Sequence, residues 1–592
     1  METIVEVIEK RLAENEDYVP FTYLEDGEAR ERPLPLAEIR AGAQFFASRL
    51  APGAATLVLL PQGVSFIKAF FGLLYAGAVA VPVAMPTRHR GAEKLRAIIE
   101  DARIESVVTN RAAYANLQKW FGDSFAAGDL QWHFVDDLDA DHRPSATSFE
   151  PPSADRIAFL QYTSGSTARP KAVAVTHENI VANSRIIAEA FRNGPESSSV
   201  CWLPSFHDMG LVDGIIQPVF GGFHCALLSP THFLQKPARW LRALSRYRAT
   251  YSGGPNFAFD FCVDRVRDEE LENVDLSRLE CLYNGSEPVR PQTIDRFVDR
   301  FARFGLTRER IFTCYGLAEA TLAVTTSDLK SPPVELAVDK AAFLDGRVEA
   351  AADAAASSAH RLVGCGRARG DTILRVVDPA KLDELAEREI GEIWVGGRSV
   401  THGYRNDAQA TAENYVTRDG ERFFRTGDLG FLADGELFVT GRLKDLIIIR
   451  GKNHYPQDLE QTAAAAASEA LQPNAGAAFA VEIDGEERLV VVQEVRRTEA
   501  HKLNAAAVLS ALLAALSREH GLVPHDAVLL YPSSLPKTSS GKIQRAAARR
   551  LWTENKLHAL AAWSELKSRE NTAYENKTGN SFVAADADRR RN

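Results

Sequence analysis

The sequence predicts an α/β fold: a large N-terminal domain of helix-covered, mostly parallel sheets, followed by a small α+β C-terminal domain. Three observations support this prediction. Short runs that are apolar on both faces recur along the chain, helix-like segments separate many of them, and the pattern changes after residues 441–445. At 592 residues the chain is also too long for one compact core.

The N-terminal part begins with two segments whose apolar side chains recur at helical spacing, residues 1–16 and 36–50. Buried strands are then predicted at residues 56–60, 78–83, 106–109, 157–161, 200–203, 224–228, 279–283 and 311–314. Helices are predicted between many of them, at residues 65–76, 94–101, 179–191, 237–247 and 291–304. Because Lys68, Gly72, Gly77 and Pro82 interrupt the most membrane-like stretch, residues 66–85, we expect no membrane span.

The C-terminal part has a different order of elements. A helix is predicted near residues 457–471, then two strands at 477–483 and 488–494 joined through Asp484 and Gly485, a helix at 505–516 and a strand at 526–530. We therefore predict a large domain over residues 1–441, a hinge at 442–445 and a small lid domain at 446–570. Residues 571–592 are polar and are expected to be disordered.

Composition and charge exclude several classes of protein. The formal net charge of −10 argues against a nucleic-acid binder, which would carry a basic surface. Six cysteines lie scattered through apolar runs without metal-ligand spacing, so we expect reduced core residues of a cytoplasmic protein. Acidic residues occupy the N-terminus where a secretory signal would be basic. Small-molecule partners are favoured.

The stretch that ends at Lys171 predicts a phosphate site. After an apolar strand come Thr163, Ser164, Gly165, Ser166 and Thr167, whose backbone N–H and hydroxyl groups can face an anion, and Lys171 supplies the positive charge. It is not a Walker A loop, because no glycine precedes Lys171 and no serine or threonine follows it. By composition alone, a Ser/Thr-rich surface turn is an equal alternative.

Three further polar motifs follow predicted strands at the same relative position. They are His207-Asp208, Gly285-Ser286-Glu287, and Tyr315-Gly316 with Glu319. Each could singly be a capped turn, a β-turn or an exposed helix residue. Because ligands bind at the carboxyl ends of parallel strands, the four motifs together predict one crevice. Glu319 beside a phosphate loop suits Mg²⁺, whereas the histidines lack the spacing of a zinc site.

Two later motifs extend this site. Asp428, in Arg425-Thr426-Gly427-Asp428, is predicted to lie on a turn and to accept hydrogen bonds from a ribose diol, with an ordinary hairpin turn as the alternative. Near the C-terminus, residues 536–545 form a second Ser/Gly/Lys loop that contains Lys537 and Lys542.

The motifs at residues 162–171, 315–319, 426–428, 441–445 and 536–542, in this order, resemble the core motifs of the adenylate-forming enzymes. Within that superfamily, residues 207–258 and 451–458 resemble the fatty acyl-AMP ligases. The resemblance implies that Thr163–Thr167 and Lys171 hold the phosphates of ATP, and that Gly285, Ser286, Glu287 and Tyr315-Gly316 flank adenine. It further implies that Glu319 binds Mg²⁺, Asp428 and Arg442 hold the ribose, His207 lies by the acyl carboxylate, and Lys542 bridges carboxylate and phosphate.

The resemblance implies a fatty acid substrate and a phosphopantetheine-bearing partner, either a separate acyl carrier protein or a carrier domain of a polyketide or peptide synthase. We expect the long segment at residues 331–360 to be a family-type insertion that restrains the small domain and disfavours CoA. Ala168 and Ala172 stand where the family loop usually has glycine, so any position there that needs a positive φ would be strained. A conventional acyl-CoA ligase and a catalytically silent relative therefore remain alternatives.

Overall fold

A computed structural model describes residues 2–86, 91–122, 130–138, 150–163, 170–356, 358–538 and 541–564. Residues 164–169, which make up most of the predicted phosphate motif, lie outside these described ranges. The tail at residues 571–592, which is predicted to be disordered, lies outside them too. The strands are β1 (Phe21–Leu24), β2 (Glu31–Leu34), β3 (Ala55–Val58), β4 (Val79–Pro82), β5 (Ser106–Thr109), β6 (Gln131–Phe134), β7 (Ile157–Thr163), β8 (Lys171–Thr176), β9 (Ser198–Cys201), β10 (His224–Leu227), β11 (Tyr251–Gly254), β12 (Cys281–Asn284), β13 (Ile311–Gly316), β14 (Ala323–Thr326), β15 (Glu335–Asp339), β16 (Ala359–Val363), β17 (Arg367–Ala368), β18 (Ile373–Val377), β19 (Gly391–Gly396), β20 (Tyr415–Arg418), β21 (Glu421–Ala433), β22 (Glu436–Arg442), β23 (Ile447–Ile449), β24 (Lys452–His454), β25 (Leu471–Ile483), β26 (Glu486–Val495), β27 (Asp526–Leu530) and β28 (Ala559–Ser564).

The helices cover the sheets and connect many of the strands. They are α1 (Ile4–Glu14), α2 (Leu36–Ala41), α3 (Ala43–Ala47), α4 (Val64–Tyr75), α5 (Ala92–Ala102), α6 (Arg111–Phe121), α7 (His177–Phe191), α8 (Gln217–Gly221), α9 (Pro230–Gln235), α10 (Ala238–Arg246), α11 (Asn256–Arg265), α12 (Pro291–Phe301), α13 (Lys340–Leu344), α14 (Ala408–Asn414), α15 (Pro456–Ala465), α16 (Ala505–His520) and α17 (Arg545–Thr553). A π-helix, Met209–Ile216, precedes α8.

The large domain contains two helix-covered sheets and a third, antiparallel sheet. One sheet has six strands in the order β6-β5-β3-β4-β7-β8, and another has nine in the order β17-β14-β13-β12-β11-β9-β10-β1-β2. In the six-stranded sheet, the neighbouring strands from β6 to β7 are parallel, and β8 pairs antiparallel at the edge. In the nine-stranded sheet, the neighbouring strands from β13 to β1 are parallel, while β14 and β17 at one edge and β2 at the other pair antiparallel. The third sheet consists of β18 to β22. The predicted fold class is confirmed.

The buried side chains explain why these strands read as continuous apolar runs. A core that includes Trp240 and Phe297 packs around the nine-stranded sheet, and a second core that includes Leu57 and Val107 packs on the six-stranded sheet. Helix α4 is buried along almost its whole length, as its all-round apolar sequence predicts. In the part of the chain that the structure describes, no helix combines the length and hydropathy that crossing a bilayer requires.

The small domain is built on a four-stranded sheet in the order β25-β26-β27-β28. Helices α15 and α16 pack on its core through Leu459 and Leu512. The hairpin between β25 and β26 turns at Asp484 and Gly485, both with φ near +50° to +80° as a two-residue hairpin turn requires. The predicted strand at 526–530 is confirmed, and both strands of the hairpin are longer than predicted.

The segment at residues 331–360 forms a packed element. Strands β15 and β16 pair antiparallel over five residues, and α13 lies between them in sequence. An ion-pair network anchors this hairpin to the large domain. In this network, Arg308 and Arg361 each bind both Asp295 and Glu335. The insertion is therefore attached to α12 through charge as well as through its backbone.

The insertion also contacts the small domain. The rings of Phe343 and Tyr455 are 4.9 Å apart, and His360 lies 3.8 Å from the Asp458 carboxylate. Lys340 donates a hydrogen bond to the backbone carbonyl of Glu519 at 2.7 Å. The hairpin thus bridges the large domain and the small domain.

A second contact between the two domains is centred on Asn474, which has a φ of 53° and lies in a bulge of β25. Its side-chain oxygen accepts a hydrogen bond from Arg290 at 2.5 Å, and its amide donates to Asp260 at 3.4 Å. Arg290 and Asp260 belong to the large domain. The small domain is therefore closed against the large one.

Candidate active site

The predicted phosphate motif lies on a β-hairpin between β7 and β8. Thr163 and Lys171 are directly opposite in this antiparallel pair, so the strands bring the two ends of the loop together. Ala172 pairs with Tyr162 inside the ladder and is not among the residues with positive φ. The expected strain at Ala172 is therefore wrong, because this position is extended strand that any residue can adopt. Ala168 lies outside the described residues.

Three of the four motifs lie on the nine-stranded sheet, at the ends of β9, β12 and β13, and the phosphate hairpin belongs to the six-stranded sheet. The four motifs therefore belong to two sheets, and not to the edge of a single sheet as predicted. Gln161 joins them, because its side-chain amide donates to the carbonyl of Phe206 at 2.7 Å. That bond ties strand β7 to the loop that carries His207.

His207 and Asp208 form a close pair. The Nδ1 atom of His207 lies 2.5 Å from the Asp208 carboxylate, which also accepts from the backbone N–H of Met209. Burial by itself raises the pKa of Asp208, but the facing charges of His207 and Lys542 outweigh it and lower that pKa. The sequence analysis named Asp208 within the His207-Asp208 motif but gave it no role of its own.

The turn after β12 provides a close backbone approach. A Cβ on Gly285 would lie 2.8 Å from the sulfur of Cys314 and 2.9 Å from its carbonyl oxygen, so only glycine fits there. Ser286 has a φ of 76°, and the Glu287 carboxylate accepts from the backbone N–H of Phe257 at 3.4 Å. Gly316 is similarly confined, because a Cβ there would lie 2.0 Å from the carbonyl oxygen of Leu322.

Asp428 is at the centre of a hydrogen-bonded group with Tyr315 and Arg442. Tyr315 donates to one carboxylate oxygen at 2.7 Å, and the Nε atom of Arg442 lies 2.8 Å from the other. The Asp428 carboxylate raises the pKa of Arg442. The predicted turn is wrong, since Asp428 lies inside the 13-residue strand β21, opposite Arg442 on β22. The alternative of an ordinary hairpin turn fails for the same reason.

Glu319 lies just after β13 in a short 3₁₀ turn. Its Oε1 atom accepts a hydrogen bond from the Tyr404 hydroxyl at 2.8 Å. Burial raises the pKa of Glu319, and the bond from Tyr404 opposes that rise. Tyr404 is a second residue that sequence reasoning missed, because no motif marks it and only the fold brings it to Glu319.

Lys542 reaches the crevice from the small domain. Its backbone N–H donates to Thr538 Oγ1 at 3.0 Å, and residues 537 and 543 form a β-bridge that closes the loop. Desolvation of the ammonium lowers the pKa of Lys542, although the residue is exposed to solvent. The charges of Asp208, Glu287 and Asp428 act against that shift, and the charge of Arg442 adds to it.

Lys537, the other lysine of this loop, points elsewhere. Its ammonium donates to the backbone carbonyl of Asn474 at 3.2 Å. This contact places Lys537 at the domain boundary near Asp260 and Arg290, the partners of Asn474. Of the two lysines, Lys542 is the one that faces the large-domain carboxylates.

All six cysteines are free thiols, and burial raises the pKa of each. Among the described residues, no group of three or more His, Cys, Asp or Glu side chains could hold a metal ion.

The chain thus combines a large α/β domain of mostly parallel sheets with a smaller C-terminal domain. Residues 36–405 match the AMP-binding enzyme family, and residues 444–562 match the AMP domain of the Disco-interacting protein 2-like family. The chain belongs to the AMP-binding enzymes and, within them, to the fatty acyl-AMP ligases.

Similar proteins have related activities in their names. The medium-chain-fatty-acid–[acyl-carrier-protein] ligase JamA of Moorena producens is 39% identical over 588 residues, covering 96% of this chain and 98% of JamA. The putative fatty-acid–CoA ligase FadD21 of Mycobacterium tuberculosis is 35% identical over 92% of this chain and 97% of its own length. A structure from a study of fatty acyl-adenylate ligases of E. coli and L. pneumophila superposes with a TM-score of 0.84 at 30% identity, covering 94% of this chain and 98% of the other.

Proposed function

We propose that this protein uses ATP to activate a fatty acid as acyl-adenylate and then transfers the acyl group to the phosphopantetheine thiol of an acyl carrier protein. The observation that carries the proposal is the position of the Lys542 loop at the domain boundary, where Lys537 binds the Asn474 carbonyl and the charges of Asp208, Glu287 and Asp428 act on Lys542. A cation placed there can offset the negative charge that develops when a carboxylate attacks a phosphate. The likeness to JamA supports the carrier as acceptor.

The site residues take the following roles in this proposal. Thr163, Ser164, Gly165, Ser166, Thr167 and Lys171 hold the phosphates of ATP. Gly285, Ser286, Glu287, Tyr315 and Gly316 flank the adenine ring. Asp428 and Arg442 bind the ribose, His207 lies by the acyl carboxylate, and Lys542 bridges that carboxylate and the α-phosphate.

The residues present fit a magnesium ion. Glu319 offers a carboxylate of which one oxygen is bound to Tyr404, and the second oxygen has no partner among the described residues. Mg²⁺ favours one or two carboxylates together with substrate phosphates, which matches a site without a protein ligand cluster. When bound, the ion would neutralise charge on the leaving pyrophosphate.

Two displacement steps follow from this arrangement. In the first, a carboxylate oxygen of the fatty acid attacks the α-phosphorus of ATP, and the bond to pyrophosphate breaks. In the second, the carrier thiol loses its proton, its sulfur attacks the acyl carbonyl, and the bond to AMP breaks. Because Lys542 belongs to the small domain, closure of that domain supplies its charge to the first step.

A conventional acyl-CoA ligase is the second candidate, and the likeness to FadD21, whose name includes CoA, favours it. The alternative of a catalytically silent relative was suggested by Ala168 and Ala172. Ala172 no longer supports it, because this residue lies in regular strand. The six free thiols, five of them buried, support the cytoplasmic location expected from the sequence.

Fatty-acid-dependent exchange of pyrophosphate into ATP tests the proposal. The protein is incubated with ATP, Mg²⁺, labelled pyrophosphate and saturated fatty acids of increasing length, and fatty alcohols of the same lengths serve as controls. We expect exchange only with the acids, because the alcohols lack the attacking carboxylate. Absence of exchange with every acid would exclude the adenylation proposal and favour the silent relative.

A further inference from the structure

We propose that Tyr404 is a positioning residue that holds the Glu319 carboxylate and the Lys171 ammonium in place and keeps the two charges apart. The Tyr404 hydroxyl donates to Glu319 at 2.8 Å, while the Lys171 ammonium lies 4.9 Å from the centre of the same ring. One side chain thus contacts two oppositely charged groups of the site. The inference rests on the proposed function, which gives Glu319 to the metal and Lys171 to the phosphates.

Backbone hydrogen bonds hold the chain on both sides of Tyr404. Residues on either side of it bond to β8, since Arg405 donates to the Ala172 carbonyl at 2.8 Å and Ala174 donates to the Gly403 carbonyl at 3.1 Å. The backbone N–H of Tyr404 itself donates to Thr411 Oγ1 at 3.0 Å. Only 8% of Tyr404 is exposed. This side chain therefore has little freedom to follow its partners if they move.

The same segment also holds the backbone of Glu319. Thr401 donates its N–H to the Glu319 carbonyl at 2.8 Å, three residues before Tyr404. The segment 401–405 thus connects the strand that begins at Lys171 to the turn that carries Glu319. Both charged residues take their positions from one short stretch of chain.

Separation of the two charges has a chemical reason. A lysine and a glutamate that both line a nucleotide site could pair directly, and each would then be lost to its ligand. In the structure, Lys171 lies over the Tyr404 ring, and Glu319 accepts a hydrogen bond from the Tyr404 hydroxyl. The ring face of Tyr404 attracts a cation and its hydroxyl donates to an anion, so the residue satisfies both groups without joining them.

Two substitutions separate these roles. Tyr404→Phe keeps the ring beneath Lys171 and removes the donor to Glu319, whereas Tyr404→Leu removes both contacts. Tyr415→Phe is the matched control, because Tyr415 lies 5.9 Å from the Tyr404 ring and bonds Thr401 instead of Glu319. Binding of Mn²⁺ in the presence of ATP is followed by the loss of the free-ion electron paramagnetic resonance signal. Binding of a fluorescent ATP analogue is measured in excess chelator.

For Tyr404→Phe we expect Mn²⁺ binding to weaken about tenfold, the size of a lost hydrogen bond to a charged group, while metal-free nucleotide binding stays within about twofold of the parent. For Tyr404→Leu we expect both to weaken, and for Tyr415→Phe neither. Unchanged Mn²⁺ binding in Tyr404→Phe would overturn the proposal, as would equal loss of both kinds of binding in that variant.

Glu319→Gln distinguishes this proposal from the proposed function beneath it. If Glu319→Gln binds Mn²⁺ with ATP as well as the parent does, the metal assignment of Glu319 fails, and the role of Tyr404 fails with it. If Glu319→Gln loses the ion and Tyr404→Phe does not, only the positioning role is wrong. Melting temperatures of all four variants show whether each is folded at the assay temperature.

Discussion

At the scale of single residues, the lysine of the small domain gives the clearest prediction. Lys542→Ala should slow fatty-acid adenylation by roughly a hundredfold or more, the usual cost of removing one electrostatic contact from a reacting phosphate. Transfer from preformed acyl-AMP to the carrier thiol should change much less, because no pyrophosphate leaves in that step. The two half-reactions are measured separately, by pyrophosphate exchange and by acylation of the carrier.

Lys537→Ala is the matched control, since its ammonium binds the Asn474 carbonyl and faces away from the carboxylates around Lys542. It should keep adenylation within about threefold of the parent, as expected for one partly exposed polar contact. Equal loss of both half-reactions in Lys542→Ala would contradict the role assigned to this lysine.

Residue types in the sequence identified candidate site residues, but not how they pair. Glu319, Asp428 and Lys542 were selected because each lies in a short motif, and their roles stay predictions. Asp208 was named only as part of a motif and Tyr404 was not selected, because their contacts form only when the chain is folded. Tyr404 is 85 residues from Glu319 in sequence, and Asn474 is 184 residues from Arg290. Local patterns carry no information about such pairs.

At the scale of elements, the connection between the two domains should act as a hinge. Leu443–Asp445 form one 3₁₀ turn between β22 of the large domain and β23, and the second family match begins at residue 444. Lys444→Pro fixes φ at this turn and should trap one arrangement of the domains. We expect either adenylation or thiol transfer to survive, but not both. Parental rates in both half-reactions would place the hinge elsewhere.

The insertion should limit the use of CoA. Its hairpin is tied to the large domain through Arg308 and Arg361, and Phe343 packs on Tyr455 of the small domain. Removing residues 334–356 should therefore free the small domain and raise acyl-CoA output several-fold. Phe343→Ala, which removes the ring that packs on Tyr455 and leaves the rest of the insertion in the chain, should produce a smaller rise. If both variants make as little acyl-CoA as the parent, the insertion has no such role.

Sequence patterns found the elements better than their edges or their partners. Strand 106–109 and strand 526–530 were predicted with the observed bounds. The helix predicted at 36–50 is divided into α2 and α3 at Gly42, where the apolar spacing continues although the helix does not. Strand β21 runs through Gly427, which has a φ of 67°. In the sequence such a glycine predicts a turn. Only the pairing of β21 with β22 shows that the strand continues through it.

At the scale of the whole molecule, the contact between the insertion and the small domain should depend on pH. Burial lowers the pKa of His454 and of His520 to about 4, and Lys340, Lys452 and His360 add positive charge nearby. The negative groups there are Asp458 and Glu519. Because both histidines have pKa values below the ordinary 6.5, their contribution to stability is complete above pH 6.5 and is lost as the pH falls towards 4.

The melting temperature should therefore fall between pH 6.5 and pH 4.5 more steeply in the parent than in the double variant His454→Gln/His520→Gln. Melting curves at half-unit pH intervals measure both slopes. His501→Gln is a suitable control, because His501 lies in the small domain and is exposed to solvent. Parallel curves for the parent and the double variant would show that these histidines do not titrate with folding.

The most direct test of the proposed function offers one protein both acceptors at once. The intact chain is incubated with ATP, Mg²⁺, a medium-chain fatty acid, CoA and a phosphopantetheinylated acyl carrier protein, and the products are quantified by mass spectrometry. We predict that acyl-AMP forms and that the carrier thiol is acylated, with little acyl-CoA. Efficient acyl-CoA synthesis, with the carrier thiol left without an acyl group, would contradict the proposal and assign the chain to the CoA ligases.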